Sequence, residues 1–149
     1  MKVDYRVIDV VPHGEPMSLL EEITNYTDES LEAAVTIRNS SMFYTNKGVP
    51  AWVGIEYMGQ AIAAWAGVAA RLEGQSVKVG FLVSCRRYES PLDYFPLGSE
   101  LRVSATRLTG ESPGLMVFEC AIQGEEFIIK ANLNVFMPSD LSAYLGDSE

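Results

Sequence analysis

From Val49 to Ala70 only Glu56 and Gln60 are strongly polar, and no other stretch constrains the fold as tightly. Alanine richness favours a helix here, and Pro50 suits the position just before a first turn. Glu73-Gly74 supplies a stop. The spacing therefore predicts a helix over Ala51–Leu72. A membrane span would place Glu56 in hydrocarbon at about 2.5–3.5 kcal/mol. The flanks also lack aromatic and basic belts on both sides. The alternative is a helix buried on nearly every face at the centre of a water-soluble fold, and that is the expectation.

Around this segment the apolar period is two. Ser18 to Tyr26 and Leu31 to Arg38 read as strands about the polar turn Thr27–Ser30. Val77 through Cys85, Leu101 through Ala105, Leu115 through Cys120 and Phe127 through Val135 alternate likewise. Turn signals at Thr109–Gly114 and at Gln123-Gly124 join the last three as a meander. A helix apolar all round needs cover on most sides, and a strongly curved antiparallel sheet provides it. Gly54, Gly59, Ala61, Ala63, Ala64, Ala66 and Gly67 make small faces on which such a sheet can close. The expected architecture is α+β: a hotdog fold of about six strands wrapped around one central helix. One domain is expected over residues 1–149, with an irregular segment near Val11–Met17 and a frayed polar tail after 138.

The net charge of -9 argues against sequence-independent nucleic-acid binding, which needs clustered cations, and against a polybasic membrane patch. Cys85 and Cys120 lie in alternating apolar runs and read as reduced buried thiols. One histidine and no C-x-x-C leave no metal spacing and imply no cofactor. The charged N-terminus, Met-Lys-Val-Asp-Tyr-Arg, does not read as a secretory signal, so a cytoplasmic location is expected.

Two residues carry the candidate chemistry. Glu56 is a carboxyl in the first turns of an apolar helix, where ionised burial is unfavourable unless paired and the helix dipole offsets part of the penalty. The bland reading is a helix-start glutamate reaching solvent. Gln60, one turn later on the same face, is placed to orient it and is also taken as a substrate contact. His13 stands between Pro12 and Pro16 and is the one side chain that titrates near neutrality unaided. As a bland alternative it is a surface loop residue. Abstracting a proton alpha to a thioester while protonating a beta hydroxyl requires one base and one acid. The amides of Ala51, Trp52 and Val53, opening the helix, are candidate donors to the enolate oxygen. Arg86 and Arg87 are either solvated strand charges or contacts for a substrate phosphate. Adjacent strand residues face opposite sides, so only one of the two can line a given surface, and Arg87 is taken as the substrate contact.

Pro50-Ala51-Trp52-Val53-Gly54-Ile55-Glu56-Tyr57-Met58-Gly59-Gln60 resembles the central-helix motif of bacterial 3-hydroxyacyl-carrier-protein dehydratases, P-G-V-L-I-I-E-A-M-A-Q. Pro12-His13-Gly14-Glu15-Pro16-Met17-Ser18-Leu19-Leu20 is similar to that family's P-H-R-Y-P-F-L-L-V opening. Gly80-Phe81-Leu82-Val83 through Arg87-Tyr88, and Gly98-Ser99-Glu100-Leu101, are like its third strand and P-G-D-x-L corner. The likeness spans roughly residues 10–136 in order and is greatest to the divergent branch associated with aryl-polyene pathways.

The resemblance implies a 3-hydroxyacyl-[acyl-carrier-protein] dehydratase with Glu56 as its acidic partner. It departs where the family's catalytic histidine lies in G-H-F-P, because Met42 occupies that position here. The reading is that His13 takes the base's role. The substrate is then an acyl carrier protein or CoA thioester. A hotdog acyl thioesterase using Glu56 alone is the alternative, as is a non-catalytic acyl-binding subunit. A homodimer joined through the Val77–Arg87 strand is expected, since that edge would otherwise stand unpaired.

Overall fold

The computed structural model describes residues 19–74, 81–108 and 115–136. Strands β1 (Glu22–Thr27) and β2 (Ser30–Thr36) form a hairpin whose turn is tied by the Thr27 hydroxyl, which accepts from the Glu29 amide. A register shift between Ile23 and Asn25 inserts a bulge. It breaks the two-residue alternation, so Ile23 and Tyr26, three apart, both point into the core. After a loop come β3 (Val49–Pro50), helix α1 (Val53–Leu72), β4 (Phe81–Arg86) and β5 (Tyr94–Phe95). Strands β6 (Glu100–Arg107), β7 (Leu115–Gln123) and β8 (Ile128–Phe136) follow.

Among the described residues, six strands make one antiparallel sheet in the order β1-β2-β6-β7-β8-β4, while β3 and β5 pair separately. The last three strands are indeed a meander. Strand β4 does not join β6, its neighbour in the chain, but crosses to the far edge beside β8. The helix begins two residues later than the sequence predicts. Its described neighbours on the sheet are β2, β6 and β7.

The core is the helix against the inward residues of the sheet. Val53, Met58, Ala61, Ile62, Ala64 and Val68 meet Leu31, Ala33, Val103, Phe118, Ile122 and Leu133, all essentially without exposure. Each large side chain buried in this way contributes about 1.5–3 kcal/mol. Trp65 packs edge-on against Phe118, ring centroids 5.5 Å apart, and its Nε1–H donates to the Asp28 carbonyl at 3.3 Å. That bond fastens the β1–β2 turn to the helix. At the other end Gly54 is a requirement of packing. A Cβ there would collide with the Tyr88 hydroxyl and come within 2.8 Å of Ile122 Cδ1. The small helix faces noted in the sequence thus have a definite use at this position. Among the described residues, no helix is long and apolar enough to cross a membrane.

Burial of Cys120 on the inner face of β7 pushes its thiol from 9.0 up to about 12. Burial also raises Tyr88, from 10.0 to about 12. Both groups stay neutral in the fold while the unfolded chain ionises, so their contribution is complete below pH 9. It is lost as pH rises from there towards 12. The stability loss due to Cys120 should approach about 1.4 kcal/mol per pH unit within that window. Urea unfolding at pH 8, 10 and 11 should show the decline, shallower in Cys120→Ala. Equal slopes in the two proteins would contradict it.

Candidate active site

Glu56 lies half-buried in the first turn of α1 and is the acidic residue there. Gln60, one turn on, is completely buried. Its Nε2 donates to Glu56 Oε2 at 3.3 Å, and its Oε1 accepts from the Leu19 amide at 2.7 Å. The structure therefore brings together the carboxyl and the amide that the sequence paired. It adds a third member from 41 residues away. Leu19 stands six positions after His13, and His13 itself lies outside the described residues, as do Val11–Met17, Val77–Gly80 and the tail after 138.

The opening of the helix differs in part from expectation. The Ala51 amide donates to the Asp93 carbonyl at 2.9 Å. It is engaged in the scaffold and not presented to a ligand, so Trp52 and Val53 remain the candidate donors. Trp52 is the N-cap residue, with no side-chain cap, and is 60% exposed. Tyr88 donates its hydroxyl to the Ala51 carbonyl and so fixes the peptide at which the helix starts. Its phenol is a positioning group that sequence reasoning passed over. The quoted Arg87-Tyr88 pair was the available signal.

Among the described residues, two non-glycine residues adopt positive φ, Phe43 at 69° and Arg87 at 64°. For bulky side chains this conformation is strained and persists only where surroundings impose it. Phe43 packs edge-on against Trp52, centroids 5.4 Å apart, next to Met42 in the loop where the family histidine would stand. Arg87 is exposed immediately beyond the end of β4. The alternation argument, that only one of Arg86 and Arg87 can serve a given surface, therefore fails at Arg87, which has left the strand. Both strained residues adjoin groups that contact the helix start: Phe43 through Trp52, and Arg87 through its neighbour Tyr88.

A cavity of about 930 Å³ lies elsewhere, on the sheet face opposite the helix, lined by residues including Glu32, Arg102, Gln123 and Phe127. None of the described sequence-predicted site residues lines it. Among the described residues, no group of side chains is placed to hold a metal ion.

Comparison with known proteins fits this architecture. The chain is similar to a structure from the dehydratase heterocomplex ApeI:P of Xenorhabdus doucetiae. The TM-score is 0.84 at 24% identity, over 99% of this chain and 100% of that one. A hypothetical thioesterase protein with coenzyme A from Streptococcus pneumoniae matches at TM-score 0.58 and 16% identity, covering 78% and 84% of the two chains. A sigma28-regulated virulence protein from Campylobacter jejuni matches at 0.59 and 14%, over 90% and 89%. These likenesses establish the hotdog fold. No curated protein matches the chain. The profile of the ApeP-like family, ApeP dehydratase, matches residues 5–146, and the chain therefore belongs to this family of hotdog dehydratases.

Proposed function

We propose that the protein eliminates water from 3-hydroxyacyl thioesters carried on phosphopantetheine, with His13 and Glu56 as base and acid. The observation that carries this reading is a half-buried glutamate at the start of the central helix, held by a buried amide, in a member of a dehydratase family. His13 takes the proton from C2, and the freed pair forms the C2=C3 double bond. The C3–O bond breaks, and Glu56, in its acid form, protonates the leaving hydroxyl to give water. The proton on His13 then returns to the Glu56 carboxylate through solvent. The Trp52 and Val53 amides face the enolate oxygen, where a helix N-terminus favours developing negative charge. Arg87 meets the phosphate of the carrier arm, a local cation on an acidic protein.

Six residues span at most roughly 20 Å, so a segment anchored at Leu19 permits His13 to reach the first turn of a helix in the same or an adjoining subunit. The adjoining subunit is favoured because the resemblance to 3-hydroxyacyl-carrier-protein dehydratases implies that the helix start beside such a histidine belongs to the partner subunit. Strand β4 hydrogen-bonds to β8 on one side and forms the edge of the sheet. A second hotdog subunit would pair with that edge and remove an aggregation hazard. We expect a homodimer, seen in sedimentation at micromolar concentration as twice 16.4 kDa. A chain that stays monomeric alone would overturn the homodimer. If it assembled only on addition of a second hotdog protein, a heterocomplex, which is what the ApeI:P structure is named as, would replace it.

The decisive assay offers 3-hydroxyacyl groups on carrier protein, on CoA and on pantetheine, and follows loss of one water by mass. Release of free acid would instead indicate a thioesterase, a reading favoured by the fold shared with the Streptococcus protein. Binding without turnover of any of the three would indicate an acyl-binding subunit.

A further inference from the structure

Among the described residues, Gln60 is the one fully buried polar side chain, and two of its contacts fix its orientation. A backbone N–H can only donate, so the Gln60 oxygen must face Leu19 and its nitrogen must face Glu56. The amide therefore cannot flip without setting donor against donor at Leu19. This single group is bound at once to the carboxyl on its own helix face and to the backbone that enters β1 from the His13 side. A residue that recognises substrate must present a polar atom to it, whereas Gln60 is wholly inside the fold with both ends of its amide engaged.

We infer that Gln60 is a positioning residue: it sets the Glu56 carboxyl and the backbone at Leu19 in one fixed frame, and it acts on the reaction only through them. The inference rests on the dehydratase reading for its effect on rate, though not for its effect on Leu19. It replaces the substrate contact that the sequence suggested for this glutamine. The requirement it meets is geometric. An acid and a base on segments far apart in the chain work together only if their separation is held to a fraction of an ångström. Supporting groups of this kind typically contribute about 10–100-fold.

The test is a double-mutant cycle with Glu56→Gln, scored by turnover of a 3-hydroxyacyl-pantetheine thioester. Gln60→Met fills similar volume without polar atoms. It should lower kcat by about 10–100-fold and leave KM within about twofold, the signature of an interaction that matters in the transition state. In the Glu56→Gln background the same substitution should cost nothing further, because the group it positions has already been removed. An equal factor in both backgrounds, or a loss confined to KM, would overturn the inference. Hydrogen exchange at the Leu19 amide gives a readout independent of turnover, and Gln60→Met should accelerate it about tenfold or more as the acceptor is lost. Amides of the central strands, Phe118 and Leu133 among them, report global folding in the same experiment. They should stay slow in Gln60→Met while Leu19 quickens, and Leu19 exchange as slow as in the wild type would overturn the idea. If the wild-type protein turned over no 3-hydroxyacyl thioester, the dehydratase reading would fall, while Leu19 exchange would still decide whether Gln60 holds that backbone.

Discussion

Glu56→Gln is expected to lower turnover of a 3-hydroxyacyl thioester by about 10²–10⁴-fold, the range for losing a positioned general acid. The substitution is nearly isosteric and preserves an oxygen that can accept from Gln60 Nε2, which reaches Glu56 at 3.3 Å in the native protein. Local geometry is therefore kept while the exchangeable carboxyl proton is removed. Folding should be little affected. What a first-turn carboxylate can gain from the helix dipole, about 0.3–1 kcal/mol, bounds the loss. Steady-state kinetics and urea unfolding on the same preparation separate the two effects. A rate within about tenfold of wild type, with stability unchanged, would remove Glu56 from the chemistry.

That glutamate was legible because it interrupts a pattern. An ionisable residue in an otherwise apolar helix demands an explanation, and i to i+4 spacing supplied Gln60 as its neighbour without any tertiary information. The helix and the long strands were legible for the same reason, since burial on one face imposes a period that composition alone does not. Strands β3 and β5 were not anticipated, because two residues carry no period. Nor was the placement of β4 beside β8, which is a non-local pairing that alternation cannot rank against others.

The site shows the same division more sharply. The sequence nominated the Ala51 amide from its place at the helix start, but Asp93, far along the chain, accepts its hydrogen bond. The bond between Gln60 and Leu19 joins residues 41 apart and leaves no local trace. Strand alternation assigned Arg86 and Arg87 to opposite faces, whereas a φ of 64° takes Arg87 out of the strand altogether. In each case local spacing was the whole of the sequence signal. What it lacked was the long-range partner that decides whether a polar group faces the scaffold or a ligand.

His13→Ala is the second large expected effect, again about 10²–10⁴ in rate. His13 is the one histidine in the chain, and Met42 stands where the related dehydratases carry their base. No other type of side chain in the sequence titrates near neutrality without a large shift. Pro12 and Pro16 bracket the segment and restrict its unfolded conformations, which lowers the entropy lost on placing the imidazole. Six residues downstream, Leu19 is bonded to the amide that also holds Glu56, so the route from base to acid is short in covalent and hydrogen-bond terms. Replacing the imidazole should leave the unfolding midpoint almost unchanged, because a histidine bracketed by Pro12 and Pro16 reads as a loop residue and not as part of the apolar pattern that builds the core. Loss of the histidine should also abolish the near-neutral limb of the pH–rate profile, whereas loss of Glu56 should leave that limb in place at a lower rate. If His13→Ala retains both full activity and the neutral limb, the two-residue mechanism fails. Catalysis would then rest on Glu56 with water, which is the chemistry of a thioesterase, and free-acid release should be sought in that variant first.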